Sequence, residues 1–481
     1  MSLKEKTVTG LLWSSVDNIA NQGINFIIGI LLARILSPKE FGLIGMLAFF
    51  IAVSQTFIDS GFANALIRKK DCSQTEYSTV FFFNLAAGII MFFILFLSSH
   101  AISTFFNEPE LKAVIKVLAL GLIIDSVTVI QRTILIRNIN FKLQTRITII
   151  STSVSGLFAI IMALKGYGVW SLVVLTLVKQ ILNSLLLWIW NHWIPALVFS
   201  VTAFKELFGF GSKLLLSGLI DTIYQNVYFL VIGKYFSAKD LGFYTRSHQF
   251  TFLPVQSITN VMSRVTYPVL SQIRDNTEIL KSAYKKMIKS IMLISFVLML
   301  GIAAVSEPMV ITLIGEKWRN SVIYLQMLCF VGMFYPLHAI NLNMLNVQGR
   351  SDLFLKLEII KKMLAVPVII IGVLFGIKIM ITGMIINSLI SYFLNSYWSG
   401  KFINYHFREQ LKDIMPSFIL ASFIAVSVFA LGCLLNLSYP VRLIVQVSTG
   451  ALLFFGICEL TKMGDYIYMK QIVLEKIFKR N

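Results

Sequence analysis

The chain reads as an all-α polytopic membrane protein of about 14 transmembrane helices. It divides into two six-helix lobes related by a parallel pseudo-twofold repeat, plus two C-terminal helices. Three observations predict this. First, 57% of the 481 residues are hydrophobic, only 14% are charged, and the mean hydropathy is +0.79. A soluble domain sits near 45–50% apolar and about 25% charged. Second, apolar stretches of about 20 residues recur from end to end, each long enough to cross a bilayer as a helix. Third, a short polar turn occurs twice: ILSPKEFGLIG at 35–45 and YFSAKDLGFYT at 235–245.

The expected spans follow in order. Six lie near 10–33, 41–66, 77–98, 112–134, 145–164 and 168–190. Six more lie near 210–233, 241–266, 287–305, 320–346, 357–375 and 380–400, and two near 414–435 and 441–461. The lobes are then 1–195 and 196–405, followed by the two extra helices in 406–462 and an amphipathic tail at 463–481. No connection is long enough to hold a soluble domain.

The repeated turn has a capping explanation. Ser37 and Ser237 each follow one span and precede the next, with Glu40 and Asp240 three residues on. Ser-x-x-Glu and Ser-x-x-Asp satisfy the orphan N–H groups of a helix start, and Pro38 suits the first helical position. An even number of spans separates the copies, so both face the same way, as in a parallel repeat. A second echo sits before the fourth helix of each set: STFFNEPELKAVIKVLAL at 103–120 and ITLIGEKWRNSVIYLQML at 311–328.

Charge supplies orientation. The chain carries 42 Lys and Arg against 23 Asp and Glu, a net charge of +19. The basic residues sit in short segments between apolar runs, so they point to a membrane surface rather than to nucleic acid. With the N-terminus cytoplasmic, most of them fall inside, including Arg68-Lys69-Lys70 and the cluster Lys281, Lys285, Lys286 and Lys289. The positive-inside rule expects this bias. Both termini are then cytoplasmic, and the tail MGDYIYMKQIVLEKIFKRN is expected to lie as a helix on the inner leaflet. The four cysteines share no metal or redox spacing.

Charged residues inside spans are costly and usually functional. Asp17, Asp59, Asp125 and Asp221 are the acidic ones, Lys179 and Arg246 the basic ones. Rise per residue places Asp125, Lys179 and Asp221 near mid-membrane. Asp17 sits in DNIANQGIN, a helix-weakening stretch of amides and glycine. The four aspartates are candidates to carry a coupling proton or sodium ion, because a poorly hydrated carboxylate is readily protonated. For the basic residues, the alternative to a substrate contact is pairing with a carboxylate inside the same lobe, such as Arg132 with Asp125. Pro254, Pro336 and Pro367 fall inside spans and favour kinks. Trp13, Trp170, Trp188, Trp190 and Trp193 read as interfacial anchors. No phosphate-cradling glycine loop, zinc spacing or nucleophile elbow is present, which argues against an ATPase or another enzyme.

LLARILSPKEFGLIGML (31–47), FIDSGFANALIRKKD (57–71), LGFYTRSHQF (241–250) and LPVQSITNVMSRVTYPVLSQIRD (253–275) together resemble the polysaccharide-export flippases of the multidrug/oligosaccharidyl-lipid/polysaccharide exporter superfamily. The branch most similar exports colanic-acid-like and teichuronic-acid-like polysaccharides. The resemblance implies two lobes forming a V around a cavity that opens alternately to either side. It implies an oligosaccharide on polyprenyl pyrophosphate as substrate, turned from the inner to the outer leaflet of the bacterial cytoplasmic membrane. Polymerase and glycosyltransferases are implied partners beside membrane lipids, with no nucleic acid and no bound cofactor.

For such a substrate, Arg246 and Lys179 are the first candidate contacts, with Arg132 and Arg264 receiving the head group near the inner ends of their spans. Arg binds phosphate bidentately and Lys acts as a point charge. The alternatives are a drug/cation antiporter or peptidoglycan-precursor flippase of the same superfamily, and a membrane polymerase or glycosyltransferase. For the last, Glu108-Pro-Glu110 is the one thin candidate for catalysis.

Overall fold

A computed structural model describes residues 3–478; the side chains of 3–12, 14, 15, 261, 264, 265 and 472–478 lie outside the described residues. Its regular structure is helical. Contacts divide the chain into two compact units, 1–242 and 243–481.

The first unit contains α1 (Leu3–Ile35), α2 (Pro38–Asp59), α3 (Phe62–Arg68), α4 (Gln74–Phe106), α5 (Leu111–Ser126), α6 (Val129–Arg137), α7 (Phe141–Leu164), α8 (Val169–Asn191) and α9 (Val201–Tyr235). It ends in the first turn of α10 (Ala238–Gln272). The second contains the rest of α10, α11 (Thr277–Ala304), α12 (Ser306–Ile314), α13 (Ser321–Gly332), α14 (Tyr335–Val347), α15 (Ser351–Phe375), α16 (Ile377–Lys401), α17 (Phe407–Leu434), α18 (Tyr439–Leu460) and α19 (Gly464–Phe478).

All fourteen expected spans are helical. Among the described residues, twelve are long and apolar enough to cross a membrane, against the fourteen expected; α10 and α15, helices of 35 and 25 residues, are not among the twelve. Three of the twelve are interrupted: α2–α3, α5–α6 and α13–α14.

The repeat is visible inside each unit taken by itself. In the first, the fourth span breaks at Val127 and Thr128, and α6 ends at Asn138 with φ −80° and ψ 0°. In the second, the corresponding span breaks at Met333 and Phe334, and α14 ends at Gln348 with the same angles. Pro336 therefore lies in the first turn of α14, where its missing N–H costs nothing, rather than kinking a continuous helix. Pro254 and Pro367 are inside α10 and α15 as expected.

Both polar turns form their caps. Ser37 N–H donates to Glu40 Oε2 at 2.5 Å. Asp240 N–H donates to Ser237 Oγ at 3.1 Å, and the Ser237 hydroxyl donates back to Asp240 Oδ2 at 2.5 Å. Lys39 in the same turn pairs with Glu108 at 3.3 Å and Glu110 at 3.7 Å. The Glu108-Pro-Glu110 carboxylates are thus engaged in holding the α4–α5 turn to the start of α2.

The packing division falls later than the lobe boundary expected at 195/196, and α9 packs along α2. Thr56 Oγ1 and Thr222 Oγ1 are hydrogen-bonded at 2.9 Å, and Lys69 spans Glu76 and Glu206 at 2.5 and 2.8 Å. Phe62 is fully buried against Phe83 and Phe204. In the second unit α17 packs on α11, and α18 on α12 and α17. Trp318 is fully buried against the edge of Phe243.

The helix starts of α2 and α10 meet reciprocally. A Cβ on Gly42 would stand 1.6 Å from the Ala238 carbonyl oxygen, and one on Gly242 would stand 1.9 Å from the Pro38 carbonyl oxygen. Positions 38 and 42 pair with 242 and 238, as a twofold contact requires. The repeated glycine is therefore a close-approach residue.

Gly42→Ala has no flexible side chain to push aside and must separate two backbones. A destabilisation of about 1–3 kcal/mol is expected, read as a lower melting temperature in detergent. Gly23→Ala, with nothing within 4 Å of its Cβ, should be neutral or gain up to about 1 kcal/mol from helix propensity. Equal melting temperatures for the two variants would contradict the close approach.

Candidate functional site

Four of the six intramembrane charges singled out in the sequence converge within the first unit, and Arg132 joins them. Arg132 acts by charge on Asp17, Asp59, Asp125 and Lys179, and Lys179 also acts on Asp17. These five residues come from α1, α2, α5, α6 and α8. Three carboxylates thus share two cations.

The broken fourth span positions the pair Asp125 and Arg132. At the break the helix tightens: Thr128 N–H and Thr128 Oγ1 both donate to the Asp125 carbonyl, at 2.9 and 2.7 Å. The Trp188 indole N–H donates to the Val127 carbonyl at 3.2 Å. Freed carbonyls inside a membrane need such partners. Trp188 thus serves the break rather than acting solely as an interfacial anchor. Asp125 keeps its carboxylate on the α5 side, and Arg132 emerges exposed on α6.

Two amides hold Asp125. Gln180 Nε2 donates to its Oδ2 at 2.7 Å and Gln55 Nε2 at 3.1 Å. Gln180 reaches it because residue 121 is glycine: a Cβ there would stand 2.3 Å from Gln180 Oε1. Asp59 is the last residue of α2 and is exposed, followed by Ser60 and Gly61 in the left-handed region (φ 48° and 69°).

A polar ladder runs along α1. Asp17, Asn21 and Asn25 recur every four residues, which is one helix face. Asn25 donates to Asn21 Oδ1 at 2.6 Å and to the Asn21 carbonyl at 2.7 Å. Lys179 Nζ donates to Asn25 Oδ1 at 3.4 Å, and Thr152 Oγ1 to Asn21 Oδ1 at 3.4 Å. Thr148 stands within reach of the Asp17 carboxylate. Asp17 Oδ1 is buried with no hydrogen-bond partner among the described residues. The amides Gln55, Gln180, Asn21 and Asn25 did not figure among the sequence candidates; the four-residue spacing along α1 was the available signal.

The remaining candidates lie elsewhere. Asp221 is exposed on α9. Arg246 belongs to the second unit, is 6% exposed on α10, and donates to Gln249 Oε1. The side chain of Arg264 lies outside the described residues. The second unit has its own buried polar network. Asn341 Oδ1 accepts from Tyr284 at 2.7 Å and Ser399 at 2.6 Å, while His338 Nε2 and Ser388 Oγ are 3.1 Å apart. Among the described residues no group of three His, Cys, Asp or Glu could hold a metal ion.

A double-mutant cycle tests the glycine-made seat of Gln180. Gln180→Ala should cost about 1.5–3 kcal/mol, the range for a hydrogen bond to a charged group. Gly121→Ala should destabilise the wild-type background yet be nearly silent beside Gln180→Ala, because the clashing amide is gone. Additive losses in unfolding measurements would show that the two residues do not share this space.

Comparison with known proteins gives consistent findings. Residues 31–323 match the model of a family described as "Polysaccharide biosynthesis protein". The chain is 28% identical over 447 residues to the lipopolysaccharide biosynthesis protein WzxC of Escherichia coli (strain K12), covering 91% of this chain and 89% of that protein. It is 25% identical over 461 residues to the teichuronic acid biosynthesis protein TuaB of Bacillus subtilis (strain 168), covering 94% and 95%. Its fold matches that of the lipid II flippase MurJ in an inward closed conformation, with a TM-score of 0.75 at 13% identity, over 98% of this chain and 100% of that one. The family match spans more than half of this all-helical, charge-clustered membrane chain, and the chain belongs to the polysaccharide biosynthesis protein family.

Proposed function

We propose that this protein is a flippase that turns an oligosaccharide repeat unit, carried on polyprenyl pyrophosphate, from the inner to the outer leaflet of the bacterial cytoplasmic membrane. The observation that carries the reading is the five-charge cluster inside the first unit. A structural ion pair needs one cation for each anion. Here Arg132 is within electrostatic reach of three carboxylates and Lys179 of one, and Arg132 is exposed. Such an arrangement supports exchange of partners rather than a permanent clamp.

The pyrophosphate of the carrier lipid competes with Asp17, Asp59 and Asp125 for Arg132 and Lys179. Arg132 offers the bidentate fork and Lys179 the mobile point charge. Substrate entry adds negative charge to a cluster that already has more carboxylates than cations. Uptake of a proton or a sodium ion by one aspartate offsets that excess, which couples ion movement to substrate movement. Asp125, whose carboxylate is hydrogen-bonded by two neutral amides, is the first candidate for that ion; Asp17, with one bare oxygen, is the second. Asp221 on α9 is a third candidate. Arg246 and Arg264 are proposed substrate contacts on α10. The names of WzxC and TuaB place those relatives in lipopolysaccharide and teichuronic acid biosynthesis, which supports an anionic, lipid-linked glycan over a cationic drug. Both termini are proposed to be cytoplasmic, with polymerase and glycosyltransferases acting before and after the transfer.

Lys179→Ala, Arg132→Ala and Arg246→Ala should each lower export at least tenfold while leaving normal amounts of protein in the membrane. Wild-type export in any one removes that residue from the site. A deletion strain should accumulate lipid-linked repeat units on the cytoplasmic face; accumulation on the outer face would instead mark a polymerase. Reporter fusions at residue 481 should be active only in the cytoplasm, and periplasmic activity would reverse the orientation.

A further inference from the structure

The basic cluster at the start of α11 is not used by the transport site. Its four lysines face the C-terminal part of the chain. Lys281 and Lys285 pair with Glu409 at 3.0 and 3.4 Å, and Lys285 also with Asp413 at 2.9 Å. Lys289 pairs with Asp465 at 3.1 Å, which seats the first turn of α19 against α11. Lys286 is exposed, 5.8 Å from the Tyr468 ring centre, and has no carboxylate partner among the described residues.

A cavity of about 310 Å³ opens between these two helices, lined by Lys285, Lys286 and Lys289 from α11 and by Asp465 and Tyr468 from α19. Ser290 also lines it. That side chain is 9% exposed, and its hydroxyl is buried with no hydrogen-bond partner. A buried hydroxyl left bare is costly and calls for a partner. Lys285 and Lys289 are already paired with Glu409, Asp413 and Asp465, so Lys286 is the ammonium group in the lining that has no carboxylate partner among the described residues, and the volume is within the range of ligand pockets.

A second cavity of about 480 Å³ adjoins the first and shares Lys286 and Tyr468 with it. Its wall is mostly apolar, with Val269, Ile279, Ala283 and Met287, and Glu278 and Ser282 also line it. Ile279 and Val269 are 54% and 40% exposed. A free anion would fill the charged cavity and leave this apolar wall bare. A phospholipid satisfies both at once, with its phosphate among the lysines and its glycerol and first methylenes along the wall.

We propose that α11 and α19 together form a binding site for the head group of an anionic phospholipid, with Lys286, Lys289 and Ser290 as phosphate ligands and Tyr468 as the lid. Basic pockets at the cytoplasmic end of membrane helices suit anionic head groups. The bound lipid ties the C-terminal helix to the bundle through a shared phosphate, in addition to the Lys289–Asp465 pair. This site is independent of the transported substrate.

The test uses the purified full-length chain in neutral detergent, titrated with phosphatidylglycerol or phosphatidylcholine and read by native mass spectrometry. Wild type should retain one phosphatidylglycerol at least tenfold more tightly than phosphatidylcholine. Lys286→Gln, at an exposed position, should weaken that retention about fivefold, the effect of one surface lysine. Ser290→Ala should weaken it two- to threefold. Lys281→Gln makes the same change of charge outside both cavities and should stay within twofold of wild type. Equal retention of the two lipids would overturn the proposal, as would equal losses in Lys286→Gln and Lys281→Gln. A parallel titration with inorganic phosphate separates the sources: thermal protection by phosphate without preference for phosphatidylglycerol would also overturn it.

Discussion

Arg132 is the charge around which the first unit is organised. Asp17, Asp59 and Asp125 each lie within a helix that crosses or borders the apolar layer, and each feels the Arg132 guanidinium. An isolated carboxylate at such depth costs several kcal/mol. Bringing three of them to one arginine, with Lys179 alongside, lowers that cost by shared attraction. It also gathers four of the six intramembrane charges within the first unit, beside the exposed Arg132. Helix positions follow from this demand as much as from apolar packing, because α1, α2, α5, α6 and α8 must all present a polar face to the same point.

The break at Val127 and Thr128 is what makes the arrangement geometrically possible. In a continuous helix, residues seven apart lie on one face about 10 Å apart along the axis. The turn between α5 and α6 lets the two side chains be aimed separately. Its backbone cost is met locally by the Thr128 hydroxyl and the Trp188 indole. The second unit breaks the corresponding span at Met333 and Phe334 and satisfies the Met333 carbonyl with the Ser295 hydroxyl at 2.8 Å. There the break adjoins a neutral network around Asn341 and His338 instead of a charged one. Duplication has preserved the backbone device while the two units have diverged in chemistry. The glycines at 42 and 242 tell the complementary story: the same residue is kept in both copies because each one's backbone touches the other's turn.

Much of this was legible in the sequence. Composition and span length determine an all-helical membrane protein, because only helices and closed barrels satisfy every backbone group in lipid. The Ser-x-x-Glu and Ser-x-x-Asp turns are helix caps because capping depends on residues three apart, a local property. The acidic and basic residues within spans could be singled out for the same reason: their cost is set by depth, which counting residues supplies. What only the tertiary structure decided is which of those charges meet. Asp17, Asp59, Asp125, Arg132 and Lys179 come within electrostatic reach of one another inside the first unit, because side-chain direction depends on helix rotation and on the turn at 127–128. The amides that hold Asp125, the room that Gly121 leaves for Gln180, and the bare Ser290 hydroxyl beside α19 belong to the same category. Each is a relation between residues distant in the chain, set by packing whose energy no local spacing encodes.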